Sequence, residues 1–290
     1  MRGPSAREGP KISVNAPAAA LAVQGPVAST TIALVTPTTN DPAGGEPQPR
    51  VWSVVKASIS EAGHDREEEF NAWYNERHVP EWVAKPGFGR GWRLRALDHP
   101  TQTQPHEHGY YAVYELDSVG AFNDALTDSH GAPWGEWQEY VGSHLIDWER
   151  TYYRTLAAIA PDAVDAPYWA IVKTDFQGSE ARECEFNRWY DEVHFPELLS
   201  HAGFEGGWRL AVLPDAGDLG PHRQRYWAVY RVRSIDDFAA ARASRAERGL
   251  PPWDGLWQEN LIDTRIDCYA MVHYEAPPAT ATSRADTGHA

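Results

Sequence analysis

The sequence predicts an α+β protein assembled from two copies of one β-α-β-β-α-β unit, and three observations carry that prediction. The stretch EFNAWYNERHVPE at 69–81 returns as EFNRWYDEVHFPE at 185–197, identical at nine of thirteen positions and displaced by 116 residues. The match extends to GFGRGWRL at 87–94 against GFEGGWRL at 203–210, and to YYAVY at 110–114 against YWAVY at 226–230. Around each copy, β-branched strand-like runs and longer amphipathic runs follow one another in the same order.

Each element has a local reason. The first unit opens with VWSVVKASI at 51–59, whose β-branched content and following Gly63 predict a strand ending in a loop. Acidic residues crowd the start of DREEEFNAWYNERH at 65–78, which suits a helix N-terminus, and Pro80 is expected to stop that helix. Phe70, Tyr74 and His78 recur at helical spacing, so an aromatic stripe faces inward. Strands are expected at 91–97 and 110–116, a second helix from the capping residue Ser118, and a last strand at 150–156. The second unit repeats this with strands at 168–173, 207–213, 226–232 and 267–274 and helices at 179–194 and 234–245. The order is the ferredoxin-like pattern. Residues 49–158 and 165–276 are the expected units, with 1–48 and 277–290, rich in Ala, Pro, Thr and Gly, expected as a disordered leader and tail.

Composition bounds the function. A net charge of −15 leaves no basic stripe for nucleic acid, disfavours anionic membrane surfaces, and no apolar run is long enough to span a bilayer. Two cysteines, Cys184 and Cys268, at unmatched positions make neither a disulfide framework nor a metal cluster, so the cytoplasm is the expected compartment. Thirteen tryptophans point to a large aromatic interior.

The helix signature FNxWYxxxHxPE, followed by a PGF or AGF turn, resembles the dimeric α+β barrel superfamily, and within it the EthD-like branch. The resemblance covers about residues 50–275 and implies a barrel in which two ferredoxin-like units pair their sheets, here as a fused pseudo-dimer on one chain, with further self-association open. It also implies a ligand pocket between the sheet and the first helix. That superfamily includes polyketide cyclases, muconolactone isomerases, cofactor-free monooxygenases and haem proteins, so the resemblance points to fold more than to reaction.

His78 and His194 are the candidate proton acceptors, because an imidazole exchanges protons near neutrality; a helix-terminal packing role is the other reading. Tyr74 and Tyr190, one turn earlier, are candidate hydroxyl donors to a developing oxyanion, or inward-facing core. Asn71 and Asn187 either position substrate or tie the helix to a loop. Glu81 and Glu197 either orient the histidines or cap the next turn, and Trp73 and Trp189 are core or pocket wall. Arg93 and Arg209, charged residues inside matched strands, would meet an anionic substrate group. The HEH at 106–108 loses its second histidine in the other copy, where Gln224 stands for His108, so no metal is expected; His106 and its counterpart His222 look like solvated loop residues. No nucleotide-binding or nucleophile-elbow motif calls for a cofactor.

Together these residues point to a cofactor-independent enzyme acting on a small apolar, aromatic or polyketide-like carbonyl compound by elimination, isomerisation or ring closure. A cofactor-free or haem-dependent oxygenase and a non-enzymatic ligand-binding barrel are the alternatives. Differences between the copies gather near the histidines, at Asn75/Asp191, Arg77/Val193, Val79/Phe195 and Trp82/Leu198, so one of two sites is free to have drifted.

Overall fold

In the computed structural model the described residues are 50–129, 133–162, 166–214, 224–247 and 256–276. The leader expected at 1–48, the tail at 277–290 and His222 lie outside them. Eight strands close into one antiparallel barrel in the order β1-β3-β2-β8-β5-β7-β6-β4. The strands are β1 (Val51–Ile59), β2 (Phe88–Ala96), β3 (Tyr110–Leu116), β4 (Leu145–Ile159), β5 (Tyr168–Phe176), β6 (Phe204–Val212), β7 (Tyr226–Val232) and β8 (Leu261–Glu275). Each unit contributes four neighbours in ferredoxin-like order, β4-β1-β3-β2 and β8-β5-β7-β6.

Two long strands join the units. β4 and β8 run 15 residues each, well beyond the 150–156 and 267–274 expected from sequence. The first part of β4 pairs with β1 of its own unit and its last part with β6 of the other; β8 does the same with β5 and β2. Both strands begin earlier than the sequence predicts, before Asp147 and Asp263. They adopt positive φ (54° and 49°) within continuing strands, and the register against β1 and β5 slips nearby. This is a bulge that bends the strand instead of ending it.

The barrel lumen is solid. Trp52, Trp92, Trp169 and Trp208, equivalent in pairs across the repeat, meet there with ring centroids 4.9–6.4 Å apart. Val54, Leu94, Ile171 and Leu210 pack in the same cluster. Toward one end lies a buried charged group: Lys173 Nζ donates to Tyr111 Oη at 2.7 Å and to Asp267, whose other oxygen accepts from Arg265 at 2.8 Å. Period-2 alternation explains the placement, since Trp169, Ile171 and Lys173 share one face of β5.

Helices cover the outer face of the sheet. They are α1 (Glu67–Trp73), α2 (Val79–Val83), α3 (Val119–Asp128), α4 (Gln138–His144), α5 (Glu180–Trp189), α6 (Phe195–Leu199) and α7 (Ile235–Glu247). Ser118 and Ser179 cap α3 and α5, each accepting a backbone N–H at 3.3 Å. Pro80 does not stop the first helix. A single π turn, Tyr74–His78, joins α1 to α2, with the Val79 N–H donating to the Tyr74 carbonyl, and Tyr190–His194 does the same before Pro196. The wider turn lets the chain carry a residue without an N–H and continue as helix. Each helix then ends in a turn whose glycine is obligatory: Gly87 and Gly203 have φ of +80° and +88°, a region L side chains avoid. Among the described residues no helix is long and apolar enough to cross a membrane.

Candidate functional site

With the lumen filled, space for a ligand lies between the outer face of the sheet and its helices. The first unit holds a cavity of about 250 Å³ there, lined by Tyr74 and His78 of the π turn, Trp82 of α2, Phe122 and Leu126 of α3, Val55, Tyr114, Trp148 and Arg150 of the sheet, and Pro133 and Trp134. A second chamber of about 20 Å³, room for one water-sized group, shares Val55, Tyr74, Trp134 and Trp148 with it and reaches Arg93.

The π turn sets the geometry of the two side chains sequence analysis put first. Tyr74 and His78 meet edge to face with centroids 4.5 Å apart. His78 stacks on Trp134 at 4.8 Å and packs against Trp73 at 5.1 Å and Trp82 at 5.7 Å. Burial, with the Arg93 charge adding to it, pushes its pKa down to about 3, so the imidazole is neutral at physiological pH. Its Nδ1 makes no hydrogen bond within the described residues. The Tyr74 phenol is pushed up by burial, which keeps its proton in place; the nearby Arg93 only partly opposes this.

Arg93 is only 2% exposed. Its guanidinium lies 3.7 Å from the Tyr74 ring centroid and donates to Asn71 Oδ1 at 2.7 Å, while Asn71 donates to Tyr110 Oη at 3.0 Å. A desolvated cation–π contact of this kind stabilises by ~2 kcal/mol. Burial lowers the Arg93 pKa, and no carboxylate pairs with it among the described residues. Asn71 therefore ties helix to strand and does not line the cavity. Arg150, 6% exposed, sits over Phe122 and Tyr152 at 4.7 and 5.4 Å and likewise has no carboxylate partner among the described residues.

The second unit repeats part of this. Tyr190 and His194 meet edge to face at 4.7 Å, His194 stacks on Trp189 at 5.1 Å, and Asn187 bridges Tyr226 Oη (3.1 Å) and Arg209 (2.8 Å). Arg209 lies 3.7 Å over Tyr190, but its Nε also donates to Asp191 at 3.0 Å, a carboxylate where the first unit has Asn75. Burial raises the Asp191 carboxyl, and the Arg209 charge opposes that. Thr264 and Ile266 occupy the positions of Trp148 and Arg150, and Leu198 that of Trp82.

The remaining expected residues fall elsewhere. Glu81 points to solvent and pairs with Arg77 at 4.0 Å, away from the imidazole; Glu197 is half-buried on α6 and does not line the cavity of the first unit. The loop histidines are more buried than their polar neighbours imply: His108 is 4% exposed and faces Glu149 at 3.8 Å, and His106 packs on Tyr269 at 5.1 Å. Among the described residues no group of three or more potential ligands could hold a metal ion. Sequence reasoning missed Trp134, Trp148 and Arg150. The signal was there for the last two, as the places where the repeated strand departs from its copy.

No family model matches the chain, and no curated protein sequence matches it. Solved structures do. A monooxygenase-like protein of Fusobacterium nucleatum subsp. nucleatum ATCC 25586 aligns with TM-score 0.55 at 8% identity, over 79% of this chain and 94% of that one. A monooxygenase-like protein of Lactobacillus acidophilus NCFM aligns with TM-score 0.54 at 12% identity, over 80% and 99%. An anthrone oxidase-like protein gives 0.53 at 10% identity, over 80% and 94%. Such low identities speak to architecture alone: the chain shares with these proteins the dimeric α+β barrel fold, carried here on a single polypeptide.

Proposed function

We infer that the first unit is an enzyme site that takes a proton from a small, planar, enolisable aromatic carbonyl compound. The observation that carries this is His78, a neutral imidazole whose Nδ1 has no hydrogen-bond partner among the described residues, in the wall of an aromatic cavity. An apolar cavity of ~150 Å³ takes benzene, so about 250 Å³ suits a one- or two-ring body. In the step proposed, the C–H proton passes to His78 and its electron pair delocalises onto the carbonyl oxygen, where the Tyr74 hydroxyl donates to the enolate. The negative charge formed beside the imidazole raises its pKa from the low value of the empty site, which favours the transfer. Protonation at a different carbon completes an isomerisation; loss of a leaving group completes an elimination; attack on a second carbonyl completes a ring closure. The likeness to the EthD-like branch belongs with this reading, as does the origin of the two units by duplication.

The test is exchange of the benzylic hydrogens of 2-tetralone into D2O, followed by proton NMR. The wild type is expected to accelerate exchange, and His78→Gln to slow it by ~10²- to 10⁴-fold, the usual contribution of a general base. His194→Gln is expected to leave the rate unchanged. Full exchange in His78→Gln refutes the assignment, and no exchange by the wild type favours a non-enzymatic binding barrel.

A second reading shares the first step. The structural neighbours include monooxygenase-like and anthrone oxidase-like proteins, and on that likeness dioxygen consumes the enolate. Oxygen uptake with the same ketone separates the two. A haem does not fit this cavity: the His78 ring is boxed by Trp73, Trp82 and Trp134, and the volume is below the ~300–1,000 Å³ of sites for drug-sized ligands.

A further inference from the structure

We propose that the first unit's cavity is a site for a small aromatic anion, and that Asp191 is the second unit's built-in substitute for that anion. This deepens the reading above, on which it rests, by naming the charge of the ligand. Two buried arginines, Arg93 and Arg209, stand at equivalent positions in the two units. Arg93 and Arg209 make the same amide contact, to Asn71 and Asn187, and the same 3.7 Å contact with a tyrosine ring. They differ in one partner. Arg209 Nε donates to the Asp191 carboxylate at 3.0 Å, whereas Arg93 Nε has no hydrogen bond among the described residues and the residue at the equivalent place is Asn75.

A guanidinium that is 2% exposed and lacks a carboxylate is costly to bury, because the charge has lost water without gaining a counter-ion. The second unit removes that cost within the chain. The first leaves it, and places a chamber of about 20 Å³ against the same arginine, large enough for one oxygen atom of a ligand.

A second, independent observation concerns Arg150. It is 6% exposed, lines the larger cavity, leaves its Nε without a hydrogen bond and has no carboxylate partner among the described residues. Its counterpart in the second unit is Ile266. The second unit does carry an arginine on the helix side, Arg242 in place of Leu126, but that residue has interactions of its own within the protein. Two cations without a counter-ion among the described residues therefore flank one aromatic space in the first unit. The two chambers share Tyr74 and Trp134 as a common wall, so a flat one- or two-ring body in the larger one can extend an anionic oxygen toward Arg93 while Arg150 borders the ring. A carboxylate or a phenolate satisfies this chemistry, and an arginine fork suits both.

The experiment is calorimetric titration of the full chain with 1-naphthoate and, in parallel, its neutral counterpart 1-naphthamide, at pH 7. Expected are one equivalent of naphthoate per chain and at least tenfold weaker binding of the amide. Asn75→Asp installs the second unit's counter-ion and is expected to weaken naphthoate at least tenfold; Arg150→Ile, which copies the second unit's residue, is expected to do the same. Thermal unfolding verifies that both variants are folded, and Asp191→Asn is expected to leave the first site's affinity as it was. Equal affinity for acid and amide, two equivalents per chain, no binding of naphthoate at millimolar concentration, or unchanged affinity in both variants overturns the proposal. The readout requires no turnover. If naphthoate binds as described while His78→Gln exchanges 2-tetralone normally, the anion site stands and the proton-transfer reading falls; if exchange depends on His78 but acid and amide bind alike, the reverse holds.

Discussion

Replacing Asp267 with asparagine tests how the lumen tolerates charge. The carboxylate accepts from Lys173 on one oxygen and from Arg265 on the other, with both cations almost fully buried. Burial raises the Asp267 carboxyl, but the charges and hydrogen bonds of Lys173 and Arg265 prevail and hold it below its ordinary value. Removing one member of a buried ion pair typically costs about 3–5 kcal/mol; here Lys173 loses its carboxylate while staying out of water, and Arg265 keeps Glu107 at 3.1 Å. For a domain of this size that corresponds to a fall in Tm of roughly 6–20 °C.

The loss should depend on pH. Burial holds the Lys173 amine down at about 8, against an ordinary 10.5, although Asp267 pulls it upward. The folded state thus binds this proton less tightly than the unfolded chain, so the ammonium opposes folding below about pH 8, by about 3 kcal/mol, and the opposition fades as pH rises from about 8 to 10.5. Without Asp267 the amine falls below 8 and sheds its proton earlier. The gap between wild type and variant should therefore be wide at pH 6 and narrow toward pH 8, by at most about 1.4 kcal/mol per pH unit. Urea unfolding followed by tryptophan fluorescence at the two pH values measures it. A gap below about 1 kcal/mol at pH 6, or one that widens as pH rises, refutes this account of the network.

Two further outcomes follow from the same geometry. His78, held at about 3 against an ordinary 6.5, binds its proton only when the chain unfolds, so this group erodes stability as pH falls from 6.5 to about 3, by about 1.4 kcal/mol per pH unit; an NMR titration of the assigned His78 ring with a midpoint above pH 5 contradicts this. Gly203→Ala places a Cβ 2.2 Å from Asp237 Oδ2 at a φ of +88°, so a destabilisation of ~1 kcal/mol or more is expected in thermal unfolding, and an unchanged Tm contradicts the assigned turn.

The sequence by itself determined the repeat, the strand and helix order, and the inward face of the first helix. Those features are local: period-2 runs such as 110–116, capping serines at 118 and 179, and aromatic spacing at 70, 74 and 78 are written in neighbouring residues. It also singled out Tyr74 and His78, which the fold places in the wall of one cavity. What it left open depends on contacts between residues far apart in the chain. Pro80 reads as a helix stop until packing selects the π turn that carries the helix past it, and the last strand of the first unit reads as 150–156 until pairing with β1 extends it back across a bulge at Asp147 to Leu145. The asparagines read either as substrate contacts or as ties from the helix to a loop, and the fold instead commits each amide to a tyrosine hydroxyl and an arginine of the strands. Whether a buried arginine has a counter-ion is likewise invisible to composition: Asn75 and Asp191 differ by little in the sequence, but only the folded barrel sets them beside Arg93 and Arg209. There, in a low-dielectric interior, one such exchange determines which half of the molecule still needs a negative charge.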